Sequence, residues 1–152
     1  MRSKTANWFI AKIRYEKTME DGLQKKVIET FVLDAMSFTE AEARIIEEMS
    51  SYISGEFDVM EIDRAPFGEI FFSDQDTADL WFKAKLVFIT IDEKTDKEKK
   101  TKVNYLVQGS SLENARKNID EVMGGTMIDY NIAALSETTY LDVFEYGKED
   151  KD

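Results

Sequence analysis

Cysteine and histidine are both absent from the 152 residues, and proline occurs once, at Pro66. Without them the chain has no disulfide, no thiol nucleophile, no Ser-His-Asp or Cys-His arrangement, and no zinc site built on Cys or His. A long apolar run is missing as well. The opening MRSKTANWFIAK has no signal-peptide core, and no stretch approaches the ~20 apolar residues of a membrane span. The expected protein is therefore soluble and cytoplasmic, with no membrane partner. The glycine-rich phosphate loops G-x-x-x-x-G-K-[ST] and G-x-G-x-x-G are also lacking.

What the chain does have is acid and hydrophobe. The 31 Asp and Glu outnumber the 20 Lys and Arg, for a net charge of −11. A field of that sign opposes nucleic acid and anionic membranes, so direct nucleic-acid binding is not expected. Hydrophobic residues make up 43%, enough for a core in a chain of one-domain length. A folded domain of this size buries roughly two-thirds of its unfolded surface.

The sequence contains an internal duplication. Trp8-Phe9-Ile10-Ala11-Lys12 recurs as Trp81-Phe82-Lys83-Ala84-Lys85. Phe31 and Leu33 then meet Tyr105 and Val107, and Ala41, Ile45 and Met49 meet Ala115, Ile119 and Met123. Phe57, Val59, Ile62, Phe67, Ile70 and Phe71 meet Tyr130, Ile132, Leu135, Tyr140, Val143 and Phe144. An ordered series of this length defines two repeats, 8–72 and 81–145, with a polar linker 73–80 and a charged tail 146–152 expected to fray.

Each repeat can be read against the other. Residues 8–16 alternate, with Phe9, Ala11, Ile13 and Tyr15 on one face, as in a half-buried strand. A polar turn and a second strand over 27–33 or 101–107 make a hairpin. Ser37 and Glu40 form a capping box, and Ser110 with Glu113 is read as its counterpart. Apolar residues at helical spacing follow, and Gly124-Gly125 end the second helix. Strands at about 56–63 with 67–72, and 129–136 with 139–145, close the copies. The predicted fold is α+β: two ββαββ units in one pseudo-twofold domain, with both helices on one side of a mainly antiparallel sheet.

Trp8 and Lys12 share a strand face by parity, as do Trp81 and Lys85, opposite the face assigned to the helices. Arg14, Lys83 and Lys102 fall on the same side. Together Trp8, Lys12, Arg14, Trp81, Lys83, Lys85 and Lys102 could offer stacking and cationic partners to a nucleotide-like anion. The plainer alternative makes the tryptophans a second hydrophobic layer or a homo-oligomer interface.

Asp58, Glu61, Asp63 and Glu69 invite a metal-dependent hydrolase, but their counterparts are Asn131, Ala134, Ser136 and Asp142. No spacing shows them converging on a cation. Asp34 with Lys12 is a nominal acid/base pair of the kind that strands usually carry as surface ion pairs. The Glu-rich helix faces, with Glu145, Glu149, Asp150 and Asp152, could imitate a nucleic-acid backbone, although such acidity ordinarily serves solubility.

With NWFIAKIRYEKT, SFTEAEARIIEEM, ISGEF and TYLDVFEYG, the chain resembles a family described as a domain of unknown function, from Bacteroides-type gut bacteria and their phages and mobile elements. The resemblance implies a cytoplasmic protein of phage or mobile-element origin. It carries over no catalytic residue. The expected function is a non-enzymatic binding protein without cofactor, serving counter-defence by sequestering a nucleotide signal or occluding a host protein. A DNA mimic and a metal-dependent nuclease or phosphodiesterase are the alternatives.

Overall fold

The computed structural model describes residues 1–147; residues 148–152, most of the expected charged tail, with Glu149, Asp150 and Asp152, lie outside the described residues. The elements run β1 (Arg2–Thr5), β2 (Trp8–Thr18), β3 (Gln24–Asp34), α1 (Phe38–Tyr52), β4 (Phe57–Arg64), β5 (Glu69–Phe72), β6 (Leu80–Ile91), β7 (Glu98–Gly109), α2 (Leu112–Gly124), β8 (Asp129–Glu137) and β9 (Tyr140–Phe144). The protein is α+β, and β2 to β5 match β6 to β9 element for element.

The sheet is divided in two. One has the order β4-β2-β3-β9 and the other β1-β5-β7-β6-β8. Each carries its own helix, so the two helices do not share one sheet. Substituting each strand by its repeat partner turns the first order into β8-β6-β7-β5, the second sheet without β1. The equivalence requires an exchange: β5 of the first repeat pairs in parallel with β7, and β9 of the second pairs in parallel with β3.

Residues 67–72 therefore do not pair back onto 56–63, as a simple closing hairpin would have them do. Ala65 ends the first sheet by donating its N–H to the Trp8 carbonyl at 2.9 Å. Pro66 follows, with no N–H to extend that ladder. The chain accordingly forms two compact units, Met1–Thr5 with Pro66–Thr138, and Ala6–Ala65 with the segment from Thr139 onward. Neither repeat contains a complete sheet by itself.

Local chemistry sets the element ends. Ser37 Oγ accepts the Glu40 N–H at 3.1 Å, and Glu40 Oε1 accepts the Met36 N–H at 2.9 Å. In the second repeat the cap is Ser111, one residue later than the sequence reading placed it. Ser111 has the extended backbone of an N-cap and accepts the Asn114 N–H at 3.0 Å. Asn114 rather than Glu113 reaches back, to the Ser110 N–H at 2.9 Å. Gly22, with φ of 83°, closes the first hairpin; the longer second hairpin places Asp96 at φ 55°, where a short polar side chain is tolerated.

Both cores follow the alternation. Phe9, Ala11, Ile13, Phe31 and Leu33 are buried with Ala41, Ile45 and Met49 of α1. Phe82, Ala84, Leu86, Val107 and Phe71 are buried with Ala115, Ile119 and Met123 of α2, and half-buried Tyr105 packs against them.

Candidate functional site: the lysine face of the second repeat

The same alternation that sinks Phe82, Ala84 and Leu86 beneath α2 turns Lys83 and Lys85 to the other face of β6. Directly opposite residues on paired strands share a face. Lys83 lies opposite Ser136 and Leu106, and Lys85 opposite Ala134 and Asn104. Lys102 and Lys100 lie opposite Val87 and Ile89, which puts them on that face too. Lys83, Lys85, Asn104, Ser136, Pro66 and Phe67 contribute to the lining of a shallow cavity of about 270 Å³.

Among the described residues none of Lys83, Lys85, Lys100 or Lys102 forms an ion pair. The first repeat shows why this is unusual. Lys12, the counterpart of Lys85, lies 3.2 Å from Glu61, and Arg14 donates to Asp58 at 3.0 Å. Glu61 in turn shares a hydrogen bond with Asp63, which lowers the Glu61 pKa with help from Lys12 and raises that of Asp63. In the second repeat Asp58, Glu61 and Asp63 are replaced by Asn131, Ala134 and Ser136. The acids that neutralise one face are thus missing from the other.

The expected site residues are distributed unevenly. Lys83, Lys85 and Lys102 share the face just described, and Lys100, two residues from Lys102 on β7 and of the same parity, joins them although the sequence reading did not name it. Lys12 and Arg14 belong to the other unit and already have carboxylate partners. Trp8 and Trp81 are 3% and 4% exposed. The stacking role expected of them is closed to rings buried in this way. Trp81 packs edge-on against Phe72 with centroids 5.7 Å apart, and Phe72, Ile70 and Leu106 are buried with it. The tryptophans therefore follow the second-layer alternative.

Asp34 and Lys12 do not act as a pair. Asp34 is buried and accepts the N–H groups of Tyr146 and Gly147, while Lys12 faces Glu61. Glu69 sits on β5, in the other unit from Asp58, Glu61 and Asp63. Among the described residues no three carboxylates are arranged to hold a metal ion, and no helix is long and apolar enough to cross a membrane.

Fold and site together define an internally duplicated α+β protein whose repeats trade their last strands. Residues 7–146 match the family described as Domain of unknown function (DUF4494), and the chain belongs to that family. No curated protein and no solved structure matches it.

Proposed function

We propose that the protein binds a nucleotide-like phosphorylated anion on the lysine face of the second repeat and holds it without converting it. The observation that carries this reading is the loss of Glu61 and Asp63 at the positions of Ala134 and Ser136, beside Lys85 and Lys83. Lys83 and Lys85, with no carboxylate opposite either, are a local reversal of the field of a chain with net charge −11; Glu98 and Asp129 lie on this face only at its far end, by Lys100. The cavity suits a phosphate group with part of a sugar or base. Lys83 and Lys85 supply charge, Asn104 and Ser136 neutral hydrogen bonds, and Phe67 an apolar wall. The phage or mobile-element origin implied by the resemblance makes counter-defence, through capture of a nucleotide signal, the biological setting of this reading.

The test is thermal stabilisation by a metal-free panel of nucleoside mono-, di- and triphosphates and cyclic dinucleotides, with inorganic phosphate as reference. At least one nucleotide should raise the melting temperature of the native chain. Lys83→Ala with Lys85→Ala should remove that rise and leave the unliganded melting point unchanged. Stabilisation that survives the double substitution, or none at all, overturns the reading. Competition with DNA for a basic protein would favour the acidic-mimic alternative instead.

A further inference from the structure

The lysines of the second repeat form a line as well as a patch. Lys83 and Lys85 stand two residues apart on β6, ~6.7 Å along the strand. Lys102 lies opposite Val87 on β7, which makes it the diagonal neighbour of Lys85, ~7–8 Å away. All three are exposed. Opposite Lys83 are Ser136 and Leu106, opposite Lys85 are Ala134 and Asn104, and Val87 is followed across the sheet by Asn131; none of these is charged. The line ends at Lys100, where Glu98 and Asp129 restore the negative field. The first repeat has no such line. Ile10 and Ile28 stand at the positions of Lys83 and Lys102, and Lys12 is the one cation of the three.

We propose that the ligand of this face is a short, linear, single-stranded oligonucleotide whose successive phosphates sit on Lys83, Lys85 and Lys102. The proposal rests on the anion-binding reading of the face and names its substrate class. Spacing decides it. A nucleoside triphosphate, whose phosphates share bridging oxygens, would have to draw the three ammonium groups together against their own repulsion. An extended single strand interposes a sugar between phosphates and so meets cations set apart along a track. The cavity receives one end, where Lys83, Lys85, Asn104 and Ser136 meet, and from there the line leads out to Lys102. Val87 and Ile89, half-buried on the same face, offer unstacked bases apolar contact whatever their identity. Length is limited at the far end. Further phosphates would pass Glu98 and Asp129 into the field of a chain with net charge −11.

The probes are 5′-phosphorylated thymidylates of increasing length, pdT, pdTpdT, pdTpdTpdT and the hexathymidylate, titrated against the full chain by calorimetry without metal. Affinity should rise at least about tenfold from pdT to pdTpdTpdT. The hexathymidylate should gain no more than the statistical factor for its alternative registers. For the trinucleotide, the logarithm of the association constant should fall against that of salt concentration with a slope of about −2, and of about −1.4 in Lys102→Ala, as for three and two phosphates of a single strand. Lys102→Ala should also bring the trinucleotide down to the affinity of pdTpdT, with the melting temperature of the free protein unmoved. Equal affinity for pdT and pdTpdTpdT, both lost in Lys83→Ala with Lys85→Ala, would overturn this proposal and leave the anion-binding reading standing. No binding at any length would overturn it as well, and binding that survives the double substitution would overturn both. So would this proposal fall if affinity climbed on to the hexathymidylate, or if a poly-aspartate peptide bound equally well and made an acidic protein segment the occupant.

Discussion

The Tyr146 N–H donates to Asp34 Oδ1 at 2.7 Å, and the next N–H, of Gly147, donates to Oδ2 at 3.0 Å. Gln108 stands at the Asp34 position of the second repeat, and its Oε1 accepts the N–H of Ser73, the counterpart of Tyr146, at 2.9 Å. Arg44 Nη1 donates to the Asp34 carbonyl at 2.7 Å, and Asn118 Nδ2 donates to the Gln108 carbonyl at 2.9 Å. Each clasp grips the chain just beyond an exchanged strand. One clasp is ionic and the other neutral, so the repeats have kept the geometry while changing the chemistry. Tyr146 extends the ionic one: its hydroxyl donates to Glu48, and the Arg44 guanidinium lies over its ring at 4.7 Å.

Asp34→Ala should therefore destabilise the protein by about 2–4 kcal/mol, since it leaves two N–H groups without their acceptor, while Arg44 keeps Glu40 at 3.1 Å. Asp34→Asn, which keeps one acceptor, should cost less. Denaturant titration gives the magnitudes. Amide hydrogen exchange should locate the damage in residues 140–147 while β6 stays protected.

Phe9 and Phe82 are 0% and 1% exposed at the centres of the two cores. Phe9→Ala or Phe82→Ala should each cost about 3–5 kcal/mol by denaturant titration, the range for a large buried side chain replaced by a small one. A loss below about 1 kcal/mol would contradict the strand faces described here.

The sequence told much of this through its periodicities. Phe9, Ala11 and Ile13 announced a strand face by alternation, and Ala41, Ile45 and Met49 announced a helix face, each seconded by the other repeat. Strand partnership was not legible, because period two fixes the face a residue joins but not the neighbour its strand will find. Nothing in Glu69–Phe72 distinguishes pairing with β4 from pairing with β7. Arg2–Thr5 is short and polar, so β1 gave no signal. Trp8 and Trp81 misled for a related reason: parity put them opposite the helices, and that face, too, buries its centre. The lysines were visible as lysines. Their lack of ion-pair partners among the described residues emerged only when register set Lys85 beside Ala134 and Lys12 beside Glu61.

The Glu61–Asp63 pair makes a pH prediction. Hydrogen bonding between them raises the Asp63 pKa, so the fold favours its protonated form; that contribution is present below the unfolded pKa and is lost as pH rises through the folded one. Glu61 is lowered and behaves oppositely, its contribution lost as pH falls. Asp63→Asn keeps a donor toward Glu61 and removes the second charge. Its melting temperature should exceed that of the native chain at neutral pH, and the gap should close on acidification, as Asp63 takes up its proton. A gap that instead widened toward acid would reverse the assignment.

The sharpest test of the lysine face leaves every lysine in place. Ala134→Glu with Ser136→Asp transplants the acids of the first repeat opposite Lys85 and Lys83, where the register already aligns them. Both positions are on a sheet face where exposed ion pairs contribute little, typically under ~1 kcal/mol, so the unliganded stability should barely move. Nucleotide-induced stabilisation should nevertheless disappear, since the new carboxylates both occupy the ammonium groups and repel an incoming phosphate. The reciprocal change, Glu61→Ala with Asp63→Ser, frees Lys12 but sets it beside Ile10 rather than a second lysine. It should therefore create only weak anion binding in the first repeat. Thermal shift with the same nucleotide panel reads both variants. If stabilisation persists in the acid transplant, the anion is held elsewhere on the protein.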